Sequence, residues 1–358
     1  MDEKLHLMSD EMSPRERFYA SLEQNPVDRV SLASPTQTGI VDLMDLCGAA
    51  FPDAIREGEK MAKLAWAAHE YAGIESVRIQ FTVLTEGEAM GAVLGKWKKK
   101  NQPVAEKPAV VTLEDIDRLK VPDPKRDGRM PEILKAARIL APRCEKEKLP
   151  LIATVITPLG LTLDAGVTDP MTSMLWFKRE PEAVEKLMKI GYETGIVWAE
   201  ALIDAGVDTI FLNGALDASI TPDEYRDRVF PIHQRTVSKI KEMGAYVVYH
   251  CCMDARPVLP QLVNLGVHAI SVSELVDMKE AREIAGDKVA LCGNVDPTYT
   301  LIKEPPEKVK EAARYCIDAG TDVLCPGCGY GPKTPLENMK ALVEAGREYG
   351  HNARLARK

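Results

Sequence analysis

The sequence predicts an α/β protein, and within that class a (β/α)8 barrel of the TIM type, on three observations. A local phrase recurs in which a helical run stops at a glycine and a short β-branched run follows at once: Gly73 before IESVRI, Gly206 before VDTIFL, Gly244 before AYVVYH, Gly266 before VHAISV, Gly286 before DKVALC and Gly320 before TDVLC. Glycine accepts the left-handed backbone that ends a helix ahead of an αβ loop. Apolar runs at residues 30–33 and 149–155 bring the strand candidates to eight, with helical patterns after nearly all of them. Finally, Ser13-Pro14-Arg15-Glu16, Thr221-Pro222-Asp223-Glu224 and Thr334-Pro335-Leu336-Glu337 each offer an N-cap, a first-turn proline and a glutamate three residues on, the signature of a capped helix start. Alternating βα units imply parallel strands with right-handed crossovers, and eight of them imply closure.

In chain order, residues 1–28 read as an N-terminal helical extension whose helix starts at the Ser13 cap. The first strand follows at 30–33 and the second after Gly73. Residues 87–111, which contain GKWKKKNQP, break the alternation and read as an inserted hairpin or loop. Its Lys98-Lys99-Lys100 run has the character of a solvated turn. The remaining six strands alternate with helices up to the helix that starts near Thr334, so residues 1–358 form one barrel domain. A doubly wound open sheet is the competing architecture. No GxGxxG dinucleotide fingerprint and no GxxxxGK[ST] phosphate loop occurs, which weakens a nucleotide-binding version of it.

The 358 residues are 45% hydrophobic and 28% charged, enough apolar material for a large core and too much for a disordered chain. A net charge of −8 argues against nucleic acid or a membrane surface as partner. The longest uncharged stretch, 149–163, holds two prolines and falls short of the roughly 20 apolar residues of a spanning helix. The start, MDEK, has no basic region followed by an apolar core, so a cytoplasmic location is expected. Eight cysteines without a regular framework suit metal binding or catalysis in a reducing compartment better than disulfides.

Barrel active sites sit at the C-terminal ends of the strands. Those ends carry Gln37 and Thr38, Arg78 and Gln80, Thr157, Asn213, His250 and Cys252, Glu274, Asn294, and Cys325 to Cys328. His250 and Cys252 are two apart at the end of AYVVYH, so on extended backbone they leave the same face, and Cys251 the other. In Cys325-Pro326-Gly327-Cys328 the Pro-Gly turn lets the chain fold back over the mouth, and Cys328 reaches inward better than Cys325. An imidazole and two thiolates suit zinc and leave a fourth position for a substrate. The charges of the metal and two thiolates cancel, so a substrate thiol could ionise there and stay nucleophilic; thiol alkylation is the natural chemistry. A redox CxxC pair and buried structural thiols are the competing readings. Cys47, Cys144, Cys251, Cys292, Cys316 and Cys325 are best taken as core residues, and His69, His233 and His268 as satisfied core or surface histidines.

The stretches HCC from His250, GNVDP from Gly293, PGCGYGPKTPLENMKALVEAG from Pro326 and SPRERFYASLEQNPVDRV from Ser13 resemble the methylcobamide:coenzyme M methyltransferases of the uroporphyrinogen decarboxylase-like superfamily. The resemblance covers essentially the whole chain. It implies a (β/α)8 barrel and a Zn2+ held by His250, Cys252 and Cys328. It also implies the reaction: coenzyme M, bound to zinc as a thiolate, takes the methyl group of a methyl-Co(III) corrinoid carried on a partner protein, as in methane-metabolising archaea. The family pattern reads His-x-Cys-Gly, whereas Met253 follows Cys252 here and Cys251 adds a thiol; the ligand spacing is unchanged.

Within that resemblance, Glu274 is a candidate fourth zinc ligand or acceptor of the thiol proton, against a merely hydrogen-bonded mouth carboxylate. Asn213 and Asn294 are candidates to line the pocket, and Arg78 to meet the sulfonate, against a structural ion pair for the arginine. Competing functions are methyl transfer to tetrahydrofolate or homocysteine, a porphyrinogen decarboxylase, whose arginine-rich N-terminal signature is absent, and a non-enzymatic corrinoid-protein binding or metal-sensing module.

Overall fold

All six punctuating glycines have positive φ, from 55° at Gly286 to 103° at Gly320. The chain is described by a computed structural model over residues 10–101, 103–163 and 165–357. The strands are β1 (Val77–Arg78), β2 (Val93–Leu94), β3 (Ala105–Lys107), β4 (Leu151–Ile156), β5 (Thr209–Asn213), β6 (Tyr246–Cys251), β7 (Ala269–Val272) and β8 (Ala290–Cys292). Six of them form one parallel sheet in the order β1-β4-β5-β6-β7-β8, with helices between successive strands. β2 and β3 pair antiparallel, so the insertion expected at 87–111 is a hairpin.

The predicted first and eighth strands occupy their places but are reduced to single bridges. Ser31 pairs with Val323, and Val323 with Cys292. The Leu324 N–H donates to Ser31 O (2.9 Å) and the Glu75 N–H to Leu32 O (3.1 Å), which joins both edges of the sheet. Pro35 and Pro326 stand at the ends of these segments and bring no N–H to a ladder. β1 is short because the backbone turns left-handed at Gln80, φ 67°.

Alternation sorts each strand into two faces. Phe211, Val248, Ala269 and Ala290 point into the barrel, where they form one buried cluster with Ile152 and Val323. Their neighbours Ile210, Leu212, Val247 and Tyr249 face the helices and belong to the larger outer core. The helix α1 (Pro14–Leu22) closes the N-terminal end by inserting Phe18 and Leu22 into the inner cluster. It is held there by Arg17, fully buried, which donates to Asp28 (2.6 Å) and Glu75 (3.1 Å). Residues 1–9 of the predicted extension lie outside the described residues.

The capping boxes at Ser13 and Thr221 form as expected. The one at Thr334 does not. That side chain is buried, the helix (Leu336–Tyr349) starts after Pro335, and the Leu336 N–H donates instead to Asp42 Oδ2 (2.9 Å). A carboxylate from a distant helix accepts the first-turn N–H in place of the Thr334 hydroxyl. Among the described residues no helix is long and apolar enough to cross a membrane.

Candidate metal centre and its cavity

The register decides which strand-end side chains meet. Asn213 stands beside His250, and His250 beside Ser271, in one row at the C-terminal end of the barrel interior. His250 faces inward for the same reason as Val248, two residues before it, and Cys252 continues that face past the strand. His250 Nε2 lies 3.0 Å from Cys252 Sγ, and Cys252 Sγ lies 3.0 Å from Cys328 Sγ. One donor atom from each residue falls within 4.8 Å of the other two, the spread that a single ion spans. On the far side of the imidazole, Nδ1 lies 3.1 Å from Ser271 Oγ. With its proton on Nδ1 the ring donates to that hydroxyl and turns the Nε2 lone pair toward the thiols, the orientation that an outer partner gives a metal-binding histidine. Phe211 stacks on the ring, with centroids 5.1 Å apart.

Cys328 arrives on the loop after the last bridge. The Gly327 N–H donates to Val295 O (2.9 Å), and the Tyr330 N–H to Gln37 O (2.9 Å), so the loop is pinned on both sides of the cysteine. The Gln37 side chain also donates to Tyr330 O and accepts from the Gly39 N–H. Two glycines make this approach possible. A Cβ on Gly327 would come within 2.5 Å of Glu274 N, and one on Gly329 within 2.5 Å of Gln37 Cγ. The hydrogen bond with Cys252, reinforced by His250, pulls the Cys328 thiol well below the usual thiol value; the same bond pushes Cys252 up. Cys252 and Cys328 are half-buried, while the other six cysteines are buried and free. The chemistry of this donor set, one oriented nitrogen and two sulfurs, fits zinc.

A cavity of about 640 Å³ opens beside the three donors. Arg78 and Asn213 line it, as do Phe211 and Tyr330. Arg78 is buried and forms no ion pair among the described residues, so the structural pairing weighed from the sequence is not made. It donates from Nε to Pro35 O (3.3 Å) and from Nη2 to Thr154 Oγ1, while Nη1 has no partner among the described residues. Asn213 Nδ2 is likewise buried without a partner. Two buried donors without acceptors beside one cavity call for an explanation, because such groups are almost always satisfied in a finished fold.

Glu274 is next to the ligands but outside the three-atom cluster. Its Oε2 is buried without a partner, and burial, then Asp296 and Cys328, raise its carboxyl above the usual value. Asn294 is not in the cavity wall. Its amide donates to Ser273 O (2.9 Å) and Val276 O (2.7 Å), so it braces the turn that carries Glu274. The expectation that it lines the pocket is therefore corrected: two carbonyls of a neighbouring loop consume its hydrogens.

Behind β5 and β6 lies a fully buried polar cluster. Tyr249 OH donates to Asp217, Thr157 Oγ1 donates to Asp217 Oδ2 (3.3 Å), and Tyr225 OH is 3.2 Å from His233 Nδ1. His233 Nε2 accepts from the Leu159 N–H (3.3 Å), and burial holds the ring down to about 3, so it is neutral. It is the satisfied core histidine expected from the sequence. The cluster fixes the loop after Asn213.

Several residues of the site and its cavity had no signal in the sequence. Ser271 is recognisable only through the β6–β7 register, and Phe211 only through the inward face of β5. Lys100 and Asn101 reach the cavity from the hairpin, and Lys333 from the loop beyond Cys328. The Lys98–Lys100 run is thus not a uniformly solvated turn: Lys99 pairs with Asp45 and Lys100 borders the cavity.

A parallel barrel with its donor set and cavity at the C-terminal mouth is the plan of one broad family of enzymes. The chain belongs to the uroporphyrinogen decarboxylase family, whose model, described as uroporphyrinogen decarboxylase (URO-D), matches residues 13–349. Its relatives within that family include the methylcobamide:CoM methyltransferase MtaA of Methanosarcina barkeri, to which it is 35% identical over 347 residues, covering 95% of this chain and 99% of that one. The methylcobamide:CoM methyltransferase MtbA of Methanosarcina mazei is 34% identical, with 95% and 99% covered. A solved methyltransferase from Methanosarcina mazei superposes with a TM-score of 0.87 at 33% identity, over 95% of this chain and 99% of that one.

Proposed function

We propose that this protein transfers the methyl group of a methylated corrinoid, carried on a partner protein, to the thiol of coenzyme M, 2-mercaptoethanesulfonate. The observation that carries the reading is the juxtaposition of His250, Cys252 and Cys328 with a cavity whose buried Arg78 and Asn213 donors lack acceptors. The names of the relatives support it.

His250 Nε2, Cys252 Sγ and Cys328 Sγ would hold the Zn2+. Bound there, zinc lowers the pKa of a thiol that joins it at neutral pH. The chain's own residues do the rest. Ser271 and Phe211 keep the imidazole in place. Arg78 Nη1 and Asn213 Nδ2 take sulfonate oxygens, which satisfies both and orients the two-carbon thiol. The methyl carbon forms a bond to the thiol sulfur as its bond to cobalt breaks, and the bonding pair stays on the metal, giving Co(I). The thiol proton leaves to Glu274 Oε2. A reducing cytoplasm suits thiol ligands and a thiol substrate.

The test follows the absorbance of free methylcob(III)alamin without oxygen, with coenzyme M, homocysteine or tetrahydrofolate as acceptor. Demethylation with coenzyme M alone is expected. Turnover with another acceptor replaces the substrate, and none with any acceptor, even from a methylated corrinoid protein, favours a non-enzymatic module. Glu274→Gln should keep its zinc and lose about 100-fold in rate, the low end of general-base contributions. An unchanged rate removes Glu274 from proton transfer, and an altered zinc K-edge spectrum of the thiol-free enzyme makes it a ligand instead.

A further inference from the structure

We propose that Lys100 and Lys333 form an outer cationic rim that draws anionic thiols into the cavity and sets the preference for them over neutral thiols. This deepens the reading above and rests on it for the identity of the reaction.

Among the described residues the cavity wall contains three cationic side chains, Arg78, Lys100 and Lys333, and no aspartate or glutamate. The zinc and two thiolates cancel, so the wall keeps a charge of +3 inside a chain whose net charge is −8. Such a sign reversal is not a by-product of composition: acidic residues outnumber basic ones by 54 to 46, yet Glu274, the carboxylate beside the donors, stands outside the cavity wall. The two lysines come from unrelated parts of the chain. Lys100 sits in the hairpin tip closed by the Lys98–Asn101 bridge, and Lys333 in the loop that carries Cys328.

Their pairing sets them apart from the lysines around them. Lys99 is neutralised by Asp45, whereas neither Lys100 nor Lys333 has a carboxylate partner among the described residues. Both are exposed, in contrast to Arg78 at 4% exposure. The cations therefore occupy two depths, a buried guanidinium beside the donors and two free ammonium groups at the mouth. A cleft lined by one sign of charge focuses the field and raises the local concentration of the opposite ion, by about 10-fold or more in association rate, and the effect fades with salt. A two-carbon sulfonate is too short to fill a cavity of about 640 Å³, so the rim acts on its approach while the inner donors hold it.

The experiment compares kcat/KM for 2-mercaptoethanesulfonate and for 2-mercaptoethanol, a neutral thiol of the same length. The zinc-loaded enzyme is used, with free methylcob(III)alamin as donor so that no carrier protein takes part. In the double variant Lys100→Met, Lys333→Met, the ratio of the two values should fall about 10-fold, and the fall of that ratio with salt expected of the wild type should flatten. An unaltered ratio overturns the proposal, whether both thiols are equally impaired or the loss appears only with a methylated corrinoid protein as donor; the latter would make the rim a docking surface. Calorimetric binding of ethanesulfonate, which cannot accept a methyl group, separates this from the reaction itself. Weaker binding to the double variant in a protein that methylates no thiol would sink the methyl-transfer reading and leave the rim standing. No binding to the wild type sinks the rim.

Discussion

Cys328→Ala is expected to lose the metal and the thiol methylation while keeping the barrel. The wild type should carry about one zinc per chain, set by one nitrogen and two sulfurs. Removing an outer partner of a metal ligand typically costs 10- to 100-fold in affinity, and removing a ligand itself should cost more than about 100-fold. The fold should survive because Cys328 is half-buried on a loop held by Gly327 and Tyr330 backbone bonds, outside both apolar clusters. Cys325→Ala is the matched control. That thiol is 1% exposed inside the barrel, so its loss should cost roughly 1 kcal/mol of stability through lost packing and leave zinc untouched. Metal content by elemental analysis and thermal unfolding of both variants decide the matter. Full zinc occupancy in Cys328→Ala would remove the donor set proposed here.

Arg78→Met should raise the KM for coenzyme M about 10- to 100-fold, the value of a hydrogen bond to a charged group. The same change should leave thermal stability equal or higher. Burial pulls the guanidinium below its usual value, but it stays charged at neutral pH, so the fold bears a buried charge with no ion-pair partner among the described residues. Methionine of similar length relieves it and can keep the contact with Phe211, whose ring centre is 5.8 Å from Arg78 Cζ. A group that costs stability and has a free Nη1 beside a cavity is placed for a ligand. Steady-state kinetics with both thiols and a melting curve test the pair of effects. An unchanged KM takes Arg78 out of the binding site, and a large fall in melting temperature makes it structural.

The site was legible in the sequence to the extent that its logic is local. The two-residue period of a strand put His250 and Cys252 on one face and Cys251 on the other, and Val248 and Tyr249 show that alternation in the two apolar clusters. The reach of a Pro-Gly turn favoured Cys328 over Cys325, and the structure brings Cys328 to the cluster and leaves Cys325 in the core. What failed was long-range in origin. Asn294 had the right residue type at a strand end, but its hydrogens go to a turn built by another strand. Thr334 had a complete local cap, but a carboxylate 294 positions from Leu336 took its place.

The glycine stops and the alternating apolar runs determined the parallel barrel, the place where it is interrupted and the donor pair at the end of β6, because backbone conformation and side-chain direction are set within a few residues. Only the tertiary structure decided that Ser271 orients His250, that Arg78 is left without an ion pair among the described residues, and that Lys100 and Lys333 border one cavity. Those facts depend on strand register and loop closure, which bring together groups that no spacing along the chain relates.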